Sequence, residues 1–343
     1  MKENYKAWDI HYEDFDKLSS ELDKLRFLLK FAVIAPSSHN TQPWSFSVAG
    51  STIHIYRAPD RRLPIADPID RQLFISIGCA IQNILIAADY YGYSTKIKFI
   101  SEDRDDHLIA IIELKQEKKR DSSGDHLVNC ITRRRTNRNR YKLDPIDKNI
   151  LQELRSLEIR NTYISIISQN EKMAQLSDVA VLASIESLVD TEFRRELSHH
   201  VKHNMTNSKV GMPGFSLGIP TPVSFLLPLL IRLFNMEKAA RKQNEFLFKK
   251  HTPYIVVIMT DCDERKNWLE AGQLFEQFAL VCTKHGISVS PWGAPIQVGE
   301  FHKNLQEILK TKMRPQIFFR MGYATKPSKH TPRIPNNEVL KLI

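Results

Sequence analysis

The stretch Arg71-Gln-Leu-Phe-Ile-Ser-Ile-Gly78 returns 194 residues later as Arg265-Lys-Asn-Trp-Leu-Glu-Ala-Gly272. The same offset carries Gln82-Asn83 onto Glu276-Gln277 and Gly92 onto Gly286. Both stretches open long apolar runs with helical spacing, Arg71–Tyr91 and Glu264–His285, each followed by a glycine suited to closing a helix. A glycine inside a helix costs about 1 kcal/mol relative to alanine. Its usual reason is close approach of a second helix. Two such glycines at one offset predict two related α+β halves that pack along their long helices about a pseudo-twofold, like a homodimer fused into one chain.

The flanking patterns fill in each half. Asp16–Ile34 reads as a helix stopped by Pro36. Trp44–Val48 and Thr52–Tyr56 alternate around Ala49-Gly50-Ser51, a hairpin signal. Lys96–Ile100 and Leu108–Leu114 are strand-like, and the polar stretch at 116–125 has a linker's composition. The expected organisation is therefore a first half at 1–115, a linker at 116–126 and a second half at 127–343. The second half opens with helices at Leu127–Arg134 and Asp147–Leu157, a strand at Thr162–Ser168 and one helix over Asn170–Val201. Lys209–Pro222, with three glycines and three prolines, reads as a lid within an insertion of about 205–235. Ser224–Lys249 is expected to be helical with a break at Pro228. Tyr254–Thr260, Ile287–Ser290 and Gln316–Gly322 read as strands, and Glu300–Lys310 as a helix.

Composition narrows the class. Of 343 residues, 42% are apolar and 26% charged, the balance of a soluble globular protein. Residues 1–16 lack the apolar core of a signal peptide. The longest apolar run, Val223–Phe234, is interrupted by Pro228 and Arg232 and is too short to span a bilayer. Cys79, Cys130, Cys262 and Cys282 lie far apart, as reduced thiols do. The expectation is a cytoplasmic protein with no stable membrane insertion. Net charge is +10, and residues 115–142 hold ten Lys or Arg against three Asp or Glu, a net of +7. This concentration favours a local anion site over a nucleic-acid-binding face, so no nucleic-acid partner is expected.

Two segments stand out chemically. Ala35–Phe46 gathers Ser37, Ser38, Asn40 and Gln42 around His39, between Pro36 and Pro43. Such side chains either satisfy their own turn or present donors to a ligand. Arg133-Arg-Arg-Thr-Asn-Arg138 suits bidentate phosphate contact, and an extended backbone would aim Arg134, Thr136 and Arg138 the same way. A solvated basic turn is the competing reading. Neither a Gly-x-Gly-x-x-Gly nor a Gly-x-x-x-x-Gly-Lys phosphate loop is present. His199 and His203 have ligand spacing on a helix, but no third ligand accompanies them, and no metal is assigned. Pro291-Trp292-Gly293 follows a strand and could offer backbone N–H groups.

Together these segments resemble the nitroreductase (flavin reductase) family. The resemblance rests on Ala-Pro-Ser-Ser-His-Asn-Thr-Gln-Pro-Trp at 35–44 and Arg-Arg-Thr-Asn-Arg at 134–138. It extends to Met321-Gly-Tyr-Ala with Thr331-Pro-Arg-Ile-Pro335. The tandem arrangement is similar to the Acg-like subgroup, in which one polypeptide forms the pseudo-dimer. The resemblance implies an α+β nitroreductase-like fold and an FMN cofactor, with NAD(P)H as electron donor. A nitroaromatic or quinone would be the small-molecule acceptor. It implies phosphate contacts from Arg134, Arg138 and Arg333, with Arg135 beside them, and Thr136 at the phosphate or ribityl chain. Pro291, Trp292 and Gly293 would lie at the flavin ring, and Ser37, Ser38, Asn40 and Gln42 would close the site from the first half. No catalytic side chain is implied, because hydride transfer is the cofactor's own chemistry. The loop occurs only in the first half and the arginine segment only in the second, which predicts one complete site and one vestigial site. An FMN-storage protein with a lidded site is the alternative. Both readings leave room for a further homodimer.

Overall fold

The structure is a computed structural model that describes residues 2–100, 107–118, 120, 126–168 and 170–341. The first half contains α1 (Glu21–Ala32), the hairpin β1 (Trp44–Ala49) and β2 (Thr52–Arg57), α2 (Arg71–Tyr90), β3 (Tyr93–Phe99) and β4 (Leu108–Gln116). The short α3 (Val128–Ile131) and α4 (Lys148–Arg155) lead into β5 (Thr162–Ile167). An insertion follows: α5 (Asn170–Val189), α6 (Thr191–His200), β6 (Val201–Lys202), β7 (Met212–Pro213), α7 (Thr221–Ser224), α8 (Leu227–Leu233) and α9 (Glu237–Lys250). The chain then forms β8 (Tyr254–Thr260), α10 (Arg265–Lys284), β9 (Ser288–Pro291), α11 (Ala294–Gln297), α12 (Phe301–Leu309), β10 (Arg314–Gly322) and α13 (Asn336–Val339).

The two principal sheets have one topology. Their strand orders are β1-β2-β4-β3 and β5-β8-β10-β9, antiparallel throughout, with the long helix following the second strand in each. Helices α2 and α10 have 20 residues each, and both their ends differ by the offset of the sequence repeat. Where β1 and β2 are joined by the turn Gly50-Ser51, β5 and β8 are separated by the whole α5–α9 insertion.

Helix α2 passes α10 almost backbone to backbone. A Cβ on Gly78 would sit 2.1 Å from the Leu269 carbonyl oxygen, and one on Gly272 would sit 2.0 Å from the Ile75 oxygen. No L side chain fits either position, so the glycines set the distance between the halves. By length and composition α2 could cross a membrane, but 83% of its most apolar window is buried. It is the central core helix, packed with Phe74, Ile77, Ile81 and Ile84 against Leu274 and Phe278 of α10.

Some element boundaries depart from expectation for local reasons. The helix expected over Asn170–Val201 is two helices, because the Asp190 side chain accepts from the Glu192 and Phe193 amides and caps a new one. Pro228 does not break its segment. It lies in the first turn of α8, where a missing N–H is harmless, and the breaks fall at 225–226 and 234–236. The helix expected at Leu127–Arg134 spans only Val128–Ile131, which leaves Arg134 in extended chain. Lys119 and residues 121–125 of the expected linker lie outside the described residues.

One polar network ties the halves together beside the helix pair. Asp263 accepts from Arg71 Nη2 (2.8 Å), Trp268 Nε1 (2.7 Å), Arg314 Nε (2.9 Å) and Gln316 Nε2 (3.0 Å). Burial alone would raise the Asp263 carboxyl, but the Gln316 and Trp268 hydrogen bonds with Arg71 and Arg314 hold it at about 2. A carboxyl depressed in the folded state stabilises the protein above its unfolded value of about 4, and that contribution fades as pH falls toward 2. Asp263 is partly exposed, so screening leaves about 1 kcal/mol of the shift as stability. Urea titrations of Asp263→Asn should show that loss at pH 7 and a smaller difference at pH 3.

Candidate functional site

The loop after α1 is held in an unusual backbone conformation. His39, Asn40 and Gln42 have φ of 48°, 58° and 54°. Left-handed residues that are not glycine are uncommon, and three in four positions persist only when the surroundings fix them. Ser37 Oγ accepts from the Gln42 amide at 2.9 Å, and the Ser38 amide donates to Ser76 Oγ on α2 at 3.3 Å. Asn40 Nδ2 donates to the carbonyls of Gly211 (2.9 Å) and Pro332 (3.0 Å). Gln42 donates to the Lys209 carbonyl at 2.8 Å and accepts from the Ile334 amide at 2.8 Å. The loop is thus stitched to the insertion on one side and to the C-terminal tail on the other.

The arginine segment meets this loop across the pseudo-twofold. Thr136 forms a parallel bridge with Val289, and the Asn137 amide donates to the Val289 carbonyl at 3.1 Å. The segment therefore extends the second sheet beyond β9. Arg134, only 3% exposed, lies with Nε 3.0 Å from Glu276 Oε1 of α10 and donates through Nη2 to the Ile34 carbonyl. The Nε contact is poorly aligned for a hydrogen bond and acts as a charge contact. Arg333 is equally buried. It donates to Asn40 Oδ1 (2.6 Å), Thr331 Oγ1 (2.5 Å) and the Pro332 and Ala35 carbonyls, and its guanidinium lies 4.9 Å from the Trp8 ring centroid.

Between loop, segment and tail is a cleft of about 480 Å³, counting its open mouth. Ser37, Asn40, Arg134, Arg135, Thr136, Arg138 and Arg333 line it, together with Trp8, Met212, Lys329 and His330. Among the described residues, no Asp or Glu is part of the lining. Its charge is felt by its neighbours. Burial, and then Arg135, Arg134 and Arg333, push the His330 imidazole down to about 3, so it is neutral where it stacks on Trp8 at 4.0 Å. Burial, and then the proximity of Arg134, push Arg333 down to about 9. Among the described residues, Glu276 is the carboxylate that offsets these two cations. Burial also lowers Arg138, whose Nη1 reaches only as far as the Ser216 carbonyl at 3.5 Å.

Five expected site residues do not line this cleft. Ser38 faces α2, and Gln42 is fully buried as a clamp between loop, insertion and tail. Pro291 ends β9, paired with Phe319. Trp292 donates to Ser184 Oγ of α5 at 2.6 Å and packs on Phe248, away from the cleft. Gly293 is exposed at the start of α11, and nothing lies within 4 Å of where its Cβ would be. The helical ligand spacing of His199 and His203, to which no metal was assigned, is not realised on one helix face. The helix α6 ends at His200, and His203 stacks on Phe225.

Sequence reading missed Trp8, Lys329, His330 and Arg320. The tail motif at 331–335 pointed toward its neighbours Lys329 and His330, but nothing local marked Trp8. Arg320 is fully buried on β10, 4.8 Å from the Tyr141 ring centroid, with Nη2 donating to the carbonyls of Arg138 and Asn139. It fixes the end of the arginine segment from beneath the sheet.

No family model matches the sequence. Among curated proteins, the chain is 24% identical over 338 residues to the "Putative NAD(P)H nitroreductase Rv3131" of Mycobacterium tuberculosis, covering 98% of this chain and 94% of that one. It is 20% identical over 329 residues to the "Putative NAD(P)H nitroreductase acg" of the same organism, covering 92% and 95%. The chain is similar over nearly its whole length to these proteins named as putative NAD(P)H nitroreductases. Its architecture is α+β, with two halves of one topology in a single polypeptide. A solved FMN-dependent nitroreductase, NfnB from Mycobacterium smegmatis in complex with NADPH, is 13% identical, with a TM-score of 0.40 over 63% of this chain and 96% of that one. In this chain the turn after α4 occupies only residues 156–161 before β5, with no counterpart of the Pro-Ser-Ser loop. Among the described residues, no strand flanks β3 as residues 134–138 flank β9.

Proposed function

We propose that the protein is an FMN-dependent oxidoreductase that takes electrons from NAD(P)H and passes them to a small acceptor such as a nitroaromatic or a quinone. The observation that carries this reading is the cleft at the junction of the halves, lined by four arginines and a lysine with no carboxylate among the described residues. The residues present suit a flavin mononucleotide. A phosphate dianion needs cations that are not already neutralised. Arg135, Arg138 and Lys329 have no carboxylate partner described, and the Nε of Arg333 is buried without an acceptor. When bound, FMN would supply the two-electron chemistry between nicotinamide and acceptor.

The protein's part is to bind, orient and shield. Arg135, Lys329 and Thr136 would take the phosphate near the mouth. Arg134 and Arg333 would hold the floor positive, with half of their charge offset by Glu276. Arg138, poorly solvated and near Arg320, would favour negative charge on whatever it faces, and more strongly the drier the site. Ser37 and Asn40 would close the cleft from the first half. Pro291, Trp292, Gly293, Ser38 and Gln42 would act from behind, by fixing the backbone that carries the lining residues. Complementary halves imply one FMN per chain, in a cytoplasmic protein whose halves divide at 116–126.

A second reading is supported by the insertion. Its Lys209 and Gly211 carbonyls are bonded to Gln42 and Asn40, and Met212 forms part of the cleft wall. A lid so held would favour an FMN store with little turnover. Purified protein should be yellow and carry about one FMN, and Arg135→Gln should weaken FMN affinity about 10- to 100-fold, the value of a charge-assisted hydrogen bond. Rapid bleaching on mixing with NADPH supports the enzyme, whereas reduction by dithionite alone supports the store. A colourless protein with no flavin affinity removes both readings.

A further inference from the structure

The outer surface of the insertion carries an apolar face that the flavin reading does not use. Val223, Phe225, Leu226, Leu229, Leu233 and Phe234 are between 45% and 62% exposed, six large side chains within twelve residues. Elsewhere the exposed large apolar residues are scattered. The spacing is helical, and α7 and α8 turn one side inward and the other out. Inward, Leu227 and Ile231 pack with Val201 and Met212 in a small core of their own. Outward, Leu226, Leu229 and Leu233 form a stripe one turn apart, flanked by Phe225 and Phe234. A contiguous apolar face of this kind marks an interaction surface.

Charge selects the partner. Residues 199–250 hold eight Lys or Arg against two Asp or Glu, a net of +6 that is more than half of the chain's +10. Arg232 lies within the apolar stripe, and Lys238 and Lys242 follow on α9; all three are exposed. Lys209 and Lys249 are ion-paired to Glu338 and Asp178, but Arg232, Lys238 and Lys242 of a second copy would meet the same three cations, which like-charge repulsion opposes. Short helices with Leu and Phe on one side and Lys or Arg beside them are suited to the headgroup region of an anionic bilayer.

We propose that α7 and α8 seat the protein peripherally on an anionic membrane surface, with Phe225, Leu226, Leu229, Leu233 and Phe234 entering the interface. The contact does not span the bilayer: α8 has seven residues. It reaches the cleft through Met212, which both packs under α8 and lines the cleft. Lipid contact would thus bear directly on the lid.

The test is flotation of the full-length protein with vesicles of phosphatidylcholine alone or with about one-third phosphatidylglycerol. The expected result is retention on the anionic vesicles only, lost on raising salt. Leu229→Asp should lower it about tenfold or more, and Lys238→Gln with Lys242→Gln should lower it severalfold. Thermal melts report that each variant stays folded, since every altered residue is exposed. No retention on anionic vesicles overturns the proposal, as does equal retention on neutral ones or unchanged retention of Leu229→Asp. A dimer in light scattering that Leu229→Asp dissociates would also overturn it, in favour of a second copy.

Discussion

Gly272→Ala is expected to lower the unfolding free energy by about 3 kcal/mol or more, at the upper end of overpacking effects. The new methyl group would lie 2.0 Å from the Ile75 carbonyl oxygen and 2.8 Å from its carbon, both backbone atoms of the opposing helix. A flexible side chain could swing away from such a clash; a helix backbone inside a packed core cannot. The helices must separate, and every contact along α2 and α10 loosens with them. Gly78→Ala should behave alike, since its clash is the mirror of the first. Gly293→Ala is the control, with φ of −75° and open space at the Cβ, and should stay within about 0.5 kcal/mol of the parent. Urea unfolding followed by circular dichroism measures all three. If Gly272→Ala matches Gly293→Ala, the halves are not held at this distance by their glycines.

Arg134→Leu is expected to cost about 3–5 kcal/mol, because it strands the fully buried Glu276 without its nearest cation. Burial already raises the Glu276 carboxyl, and Arg134 pulls it back. Removing Arg134 lets it rise further. A carboxyl whose folded value exceeds its unfolded value of 4.5 binds protons more tightly when folded. Stability therefore falls as pH rises from about 4.5 through the raised value. The variant should be clearly weaker at pH 8 than at pH 5, and adding Glu276→Gln should restore most of the loss. FMN affinity separates the two roles of Arg134. The double variant should regain stability but still bind FMN at least tenfold more weakly, the lower end of one charge-assisted contact. If FMN affinity recovers together with stability, Arg134 acts only as a brace between the halves.

Both experiments probe features that differ in how plainly the sequence displayed them. The glycine pair was visible because helix interiors exclude glycine without cause, and a repeat offset exposes the cause twice. The arginine segment was visible because Arg134, Thr136 and Arg138 cluster in charge and alternate in period. Which guanidiniums are free for a ligand was not visible. Arg134 and Glu276 are 142 residues apart in the chain, and only packing sets Nε 3.0 Å from the carboxylate. Trp292 shows the opposite case. The family resemblance implied a place at the flavin, and the indole N–H donates to Ser184 on the inserted helix α5. Nothing in the local pattern of Pro291-Trp292-Gly293 encodes that helix. Trp8 and His330 stack across 322 residues of chain, a contact that no spacing rule detects.

By itself the sequence determined the two-half architecture, the pairing of the long helices, and the two segments that meet in the cleft. Those properties are periodic or compositional, and they are written in residues near one another. The tertiary structure decided the division of labour within the cleft. It set Arg134 beside Glu276 and Arg333 on the loop around Asn40, gave Arg135, Arg138 and Lys329 no carboxylate among the described residues, and kept Pro291, Trp292 and Gly293 out of the cleft's lining. The reason is that a charge's availability depends on what else is buried beside it. In this chain those neighbours come from the other half, the insertion and the tail.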